Sequence, residues 1–206
     1  LNYNDDWVGR YQATEVNLLV LAMGATLAYQ VTDNFSVGVK PQVFYSTLTQ
    51  KLRIPSSLIT GKEDARIKLD GDDVGFGGMI GAVYDFNTGT RVGISWQSNF
   101  DIQFDGKLRV NGNIGDVLQV NTDTQLTMAQ NVRLALHHDV NDRLGIDFTV
   151  GWDNWDELDN IFVSVKGVGG FPIVTEWKDT YHYAAGFEYK LNDDWDVTAG
   201  IAYDTN

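Results

Sequence analysis

Val92-Gly93-Ile94-Ser95-Trp96-Gln97-Ser98-Asn99-Phe100-Asp101-Ile102-Gln103-Phe104-Asp105-Gly106-Lys107-Leu108-Arg109-Val110 is the stretch that decides the fold class. Its even positions are almost all apolar: Val92, Ile94, Trp96, Phe100, Ile102, Phe104, Leu108 and Val110. Its odd positions are Gly, Ser, Gln, Asn, Asp, Lys and Arg. A helix, with its period of about 3.6, would mix the two sets; a strand with one apolar face keeps them apart. The reading predicts a long β-strand over 90–110 with a single greasy side.

The same alternation recurs. Leu144, Ile146, Phe148, Val150 and Trp152 interleave with Gly145, Asp147, Thr149 and Gly151, and Trp195, Val197, Ala199, Ile201 and Tyr203 interleave with Asp196, Thr198 and Gly200. Between such runs lie short Asn/Asp/Gly/Thr turns, marked by Thr32, Asn87, Asn141 and Asn192, which stand 55, 54 and 51 residues apart. These residue types suit hairpin turns, because they tolerate left-handed backbone or accept hydrogen bonds from it. The pattern predicts strand, tight turn, strand, long loop, repeated four times. That gives eight strands near 17–31, 35–50, 74–86, 90–110, 125–140, 144–155, 180–191 and 195–204, with outer loops at 51–73, 111–124 and 156–179.

Composition narrows the possibilities. The 206 residues carry 15 Lys and Arg against 28 Asp and Glu, a formal net charge of −13. A phosphate-backbone binder needs a basic face, so no nucleic-acid partner is expected. Cysteine is absent, which removes disulfide scaffolds, cysteine zinc sites and thiol nucleophiles. His137, His138 and His182 lack metal-ligand spacing, and the acidic clusters Asp70-Asp72-Asp73 and Asp153-Asp156-Glu157-Asp159 lack the spacing of a calcium loop. No phosphate loop, nucleophile elbow or dinucleotide fingerprint appears. Neither an enzyme nor a cofactor or metal is therefore expected. Neither end carries a leader or a finished strand pattern, so the chain reads as an internal piece of a longer protein.

Alternation does not say which face is inside. A soluble lipocalin-like carrier points the apolar face at a ligand; a transmembrane barrel points it at lipid. Tyr29, Phe35, Tyr84, Phe86, Tyr189 and Trp195 sit at the strand ends beside the tight turns, where an interfacial aromatic girdle belongs. The other face is rich in Gly, Ser, Thr and Ala, and the loops are short at one end and long at the other, the outer-membrane asymmetry. These features favour an antiparallel transmembrane β-barrel. A soluble carrier and a structural barrel closing on its own eight strands stand as alternatives.

Five stretches carry further information: Trp7-Val8-Gly9-Arg10-Tyr11; Ala28 through Gly38; Gly75-Phe76-Gly77 leading to Gly81-Ala82-Val83-Tyr84; Arg91 through Ser98; and Trp177-Lys178-Asp179-Thr180-Tyr181 through Gly200-Ile201-Ala202-Tyr203-Asp204. In these the sequence resembles the FadL/TodX family of outer-membrane transporters. The resemblance runs over nearly the whole chain. It implies passive uptake of long-chain fatty acids or other hydrophobic compounds across a bacterial outer membrane, through a monomeric barrel of about 14 strands in contact with lipid and lipopolysaccharide. Residues 1–206 then form a partial barrel domain, without the N-terminal hatch and the closing strands.

Candidate site residues follow. Pro41 lies inside the second strand, where proline removes a ladder hydrogen bond. The apolar positions change parity beyond Tyr45, from Val37, Val39, Val43 and Tyr45 to Leu48 and Leu52, which predicts a bulge or kink. The resemblance places a lateral gate at Val39, Lys40 and Pro41. Lys40, Arg133 and His182 fall on the polar face as candidate partners for a carboxylate, each with the alternative of a lumen salt bridge to Asp147, Glu188 or Asp196. Gln97 stands where the family often has Arg, which leaves room for neutral cargo. On the outer loops, Leu52, Ile54, Leu58, Ile59, Ile161, Phe162 and Phe171 form a candidate landing site for a greasy ligand.

Overall fold

The computed structural model describes residues 2–4, 6–11, 13–54, 64–112, 115–158, 160–165, 169–174 and 176–205. They form one antiparallel sheet of thirteen strands, and a short 3-10 turn at Trp155–Leu158. The strands are β1 Glu15–Gly24, β2 Leu27–Thr32, β3 Phe35–Ile54, β4 Ala65–Asp85, β5 Thr90–Gln97, β6 Phe100–Gly112, β7 Gly115–Met128, β8 Asn131–Asn141, β9 Leu144–Asp153, β10 Asn160–Val165, β11 Gly169–Val174, β12 Thr180–Lys190 and β13 Asp196–Asp204.

Most of these are halves of longer runs. β1 and β2 pair with β3 in one continuous register, from Glu15↔Lys51 to Leu27↔Val39. β6 and β5 both pair with β4, and β7 and β8 pair with β6 and β5. The eight runs expected from the sequence are therefore present, in simple meander order. They are longer than expected at the loop end: the span 111–124 is almost wholly strand, and 156–179 contains the β10–β11 hairpin.

The tight turns lie together at one end. Thr32 Oγ1 accepts from the amides of Asn34 and Phe35, Asn141 Oδ1 from those of Arg143 and Leu144, and Asn192 Oδ1 from that of Asp194. The second hairpin differs. There Asp85 accepts from the Asn87 amide, while Asn87 and Gly89 supply positive φ angles of 57° and 74°.

Near this end the apolar side chains point outward. Phe148 is 49% exposed and Ile201 77%. The buried core is elsewhere, made of Phe44, Phe100, Ile102, Phe104, Leu126 and Leu158 on the concave face at the loop end. The sheet is thus greasy outside at the turn end and greasy inside at the loop end. A soluble carrier would have the first arrangement reversed. A barrel closing on eight strands is also not seen, because among the described residues β13 pairs only with β12, and β1 and β2 only with β3.

The single greasy side expected over 90–110 is corrected by the register. Gln97 faces Met79 and Asp105 faces Asp72, so residues 98–104 lie opposite residues 73–78, one residue fewer. One extra residue sends every later side chain to the other face. Ile94 and Trp96 consequently point out, whereas Phe100, Ile102 and Phe104 point in. β7 and β8 swap faces at the same level, across Ala129 and Gln130, without changing register against β6 and β5. Side chains replace the lost ladder bonds. The Gly78 amide donates to Ser98 Oγ (3.0 Å), the Gln103 amide to Asp73 Oδ2 (2.6 Å) and Trp96 Nε1 to Gln130 Oε1 (3.0 Å).

β3 crosses the same boundary differently. Its pairing with β4 is unbroken from Phe35↔Tyr84 to Ile54↔Ala65, so the bulge expected beyond Tyr45 is absent. The backbone runs straight and the residues change instead. Outward Val39, Val43 and Tyr45 give way to outward Thr47, Thr49, Lys51 and Arg53, while inward Phe44 and Leu48 join the core. The Phe44 and Phe100 rings stack at 3.7 Å across β4, where Gly75 and Gly77 leave room. A Cβ on Gly77 would come within 3.1 Å of the Phe44 ring and 2.9 Å of Ser98 Oγ.

Candidate functional site

Below the core, the concave face is lined by small residues. One row across the sheet reads Ala28, Gly38, Gly81, Ser95, Arg133, Gly151, His182 and Asp204, each paired with the next. Small residues leave the floor low, and a trough of about 420 Å³ opens over Gly38, Met79, Gly81 and Ser95, with Lys40 and Arg133 at its sides. Its scale is that of a small-molecule site.

Lys40, Gln97, Arg133 and His182 all lie on this concave face, as their parity predicts; Val39 and Pro41 lie on the convex one. The cations differ in availability. Arg133 Nη2 donates to both carboxylate oxygens of Asp153 (2.8 and 2.9 Å), and Nη1 to the carbonyls of Val132 and Trp152. Its guanidinium lies flat over Gly151, where a Cβ would sit 2.7 Å away. His182 Nδ1 lies 2.7 Å from Asp204 Oδ1. The partners are thus Asp153 and Asp204, rather than the expected Asp147, Glu188 or Asp196. Cross-strand register decides this: Arg133 pairs with Gly151 and reaches diagonally to Asp153, and His182 faces Asp204 directly. Asp147 is taken by His137, whose Nδ1 is 2.9 Å away, with Asp139 at 3.3 Å from Nε2. Sequence reasoning missed this inward Asp–His–Asp group, although the shared parity of 137, 139 and 147 carries its signal. Lys40 makes no ion pair with any described residue.

Pro41 sits in a strand paired on both sides. Gly78, its partner on β4, turns both its amide and its carbonyl to Ser98, so Pro41 and Gly78 share no ladder bond. The ring nitrogen of Pro41 therefore faces the first strand, at the level of Ala25 and Thr26 between β1 and β2. A missing donor breaks the ladder there, not in β3. Gly24 is needed alongside, since a Cβ on it would lie 2.5 Å from the Pro41 carbonyl oxygen.

Of the landing-site residues, Leu52 and Ile54 end β3, Ile161 and Phe162 lie in β10 and Phe171 in β11. Leu58 and Ile59 lie outside the described residues. Among the described residues no group of three or more His, Cys, Asp or Glu is placed to hold a metal ion.

Known proteins share this architecture. The family model described as outer membrane protein transport protein (OMPP1/FadL/TodX) matches residues 1–206. Outer membrane protein P1 of Haemophilus influenzae is 27% identical over 95% of the chain and 45% of its own length. A long-chain fatty acid transport protein of Escherichia coli O6:H1 is 23% identical over 98% of the chain and 53% of its own length. The crystal structure of a Pseudomonas aeruginosa FadL homologue superposes with a TM-score of 0.88 at 18% identity, over 98% of this chain and 53% of that one. The Ralstonia pickettii toluene transporter TbuX gives 0.77 at 20% identity, over 92% and 56%. The chain spans about half the length of these relatives.

Proposed function

The chain belongs to the OMPP1/FadL/TodX family of outer membrane transport proteins, and on that premise we propose that it is the part of a passive channel that receives hydrophobic molecules and passes them along the concave face. Of its relatives, one is named a fatty acid transport protein and another a toluene transporter. The observation that carries the reading is the trough. It is floored by glycine and small residues, and flanked by one cation already saturated by protein acceptors and one with no ion pair among the described residues.

Lys40 favours an acidic head group. A carboxylate entering a partly dry lumen needs a charge-assisted donor, and Arg133 is already committed to Asp153. Gln97, one residue from the face swap, offers only a neutral amide, so Lys40 is the discriminating group. Val39 and Pro41 lie on the lipid side of the same segment, beside the broken ladder between β1 and β2. Cargo leaving sideways would pass there.

Uptake of labelled fatty acid and of toluene by the full-length protein tests both parts. Lys40→Gln should lower fatty acid uptake about tenfold and leave toluene uptake within about twofold, on the scale of one charge-assisted bond. Equal loss of both cargoes, or of neither, rejects Lys40 as the head-group site. Pro41→Val should impair both cargoes; unchanged uptake removes the exit from this position.

A further inference from the structure

We propose that Gln42 selects, among fatty acids, those that carry a hydroxyl close to the carboxylate, by holding that hydroxyl while Lys40 holds the head group. This selection rests on the channel reading above, with Lys40 as the head-group site.

Burial without a partner marks the residue. Among the described residues, four buried side-chain atoms lack a hydrogen-bond partner: Gln42 Oε1, Ser46 Oγ, Thr122 Oγ1 and Thr124 Oγ1. Ser46 lies beyond Phe44 toward the loop end, and Thr122 and Thr124 stand on β7, with β4 and β6 between them and β3. Gln42 alone borders the trough. It is the next inward residue of β3 after Lys40, which lines one side of that trough. Only 6% of Gln42 is exposed.

Glycines bring the two side chains together. Gln42 stands between Gly24 on β1 and Gly77 on β4. With no Cβ on Gly24, Gln42 and Lys40 both lean over it. The place a Cβ would take lies 3.1 Å from Gln42 Cγ and 3.1 Å from Lys40 Cε. On the other side, Gly77 leaves its space to the Phe44 ring and Ser98 Oγ. The carboxamide is thus closed off toward the core and shares its open side with the Lys40 stem.

A buried polar group left unpaired costs stability, and an apolar side chain of the same length would fill this position without that cost. The missing partner therefore arrives with the cargo. A buried carbonyl oxygen needs a donor. A fatty carboxylate has none, and as an acceptor it goes to the Lys40 ammonium. A plain hydrocarbon has none either. A hydroxyl is the smallest donor an otherwise greasy chain can carry, and because it also accepts, it can pair with either end of the amide. The convergence over Gly24 sets its position, on a carbon adjoining the head group. Gln42 is already stripped of water before cargo enters, so the new bond should add about tenfold in affinity.

The test uses the full-length protein in mild detergent, with tetradecanoate and β-hydroxytetradecanoate in competition and the bound acids measured by mass spectrometry. The parent should bind the hydroxy acid about tenfold more tightly. Gln42→Met, close in volume, should bring the two acids within about twofold of each other through loss of the hydroxy acid. It should also unfold no earlier than the parent, because an unpaired buried amide has gone. Equal affinity of the parent for both acids overturns the proposal, since water or another part of the protein then satisfies the amide. A preference that survives Gln42→Met overturns it too. The channel reading fails separately: if Lys40→Gln leaves tetradecanoate binding unchanged, the head-group site falls and Gln42 with it, whereas a Lys40-dependent site without hydroxyl preference rejects Gln42 alone. If Gln42→Met does not insert, Gln42→Asn, which withdraws the amide by one methylene, should lower the preference at least about threefold, and an unchanged preference is equally fatal.

Discussion

The turn-end and loop-end halves of this sheet share strands and registers, yet obey opposite rules. At the turn end Ile80, Ile94 and Phe148 point outward and are about half exposed, at 52%, 52% and 49%. At the loop end Ile102 and Phe104 point inward and are 0% and 1% exposed. The first pattern is stable only if lipid covers it, and the second is the ordinary answer to water. The boundary between them is therefore the outer edge of the apolar band. The chain crosses it in two ways. β3 keeps its backbone straight and changes its residues, whereas the β5–β6 run keeps its residue pattern and adds one residue to the backbone.

Ile102→Asp with Phe104→Asp attacks this contrast most severely. Each large apolar side chain is worth about 1.5–3 kcal/mol of burial, and each new carboxylate would be buried without a partner. The loop-end sheet should not assemble, seen as loss of the folded band in a heat-modifiability gel. A normal band would show that these positions do not face a dry interior.

Point substitutions sharpen the comparison. Ile102→Ala should cost about 3 kcal/mol in denaturant unfolding from detergent, because it leaves a cavity in the core. Ile94→Ala, on the lipid face, should cost under about 1 kcal/mol. Charge reverses the contrast in kind: Ile94→Arg should cost about 2–4 kcal/mol, while Thr49→Arg, outside the band, should be nearly neutral. Equal costs for the members of either pair would erase the boundary.

Smaller effects follow at the glycines and at the seam. Gly77→Ala should destabilise by about 1–3 kcal/mol, because the new methyl meets the Phe44 ring and Ser98. Gly78→Ala faces only the Lys40 carbonyl at 3.5 Å and should be tolerated; thermal unfolding compares the two. Trp96→Phe removes the bond to Gln130 across the seam and should cost about 1 kcal/mol.

Much of this was legible in the residues. The period-2 runs place the eight expected strand runs, though not the β10–β11 hairpin, and the turn residues place the hairpins at one end. Parity assigns Lys40, Gln97, Arg133 and His182 to the inner face. The face swap at Ser98 and Asn99 was hidden because the apolar letters keep their even positions straight through it. Conversely, the parity change beyond Tyr45 looked like a bulge and is a change of surrounding medium. The two signals are distinguishable only jointly, since β3, β4 and β6 must agree on where inside lies. The partners of Arg133 and His182 were illegible because they depend on cross-strand register. The strand pairing at the loop end went unseen because residues 51–73 and 111–124 read as loops, where facing positions have no meaning.

The central claim is that the greasy side of one continuous strand run changes from lipid to protein interior between Trp96 and Phe100. The chain has no cysteine, so single cysteines at successive positions from 92 to 106 of the full-length protein in lipid vesicles can carry a nitroxide label. Accessibility to oxygen, which partitions into lipid, should be high at positions 92, 94 and 96 and low at 100, 102 and 104. High accessibility at all six even positions would contradict the account.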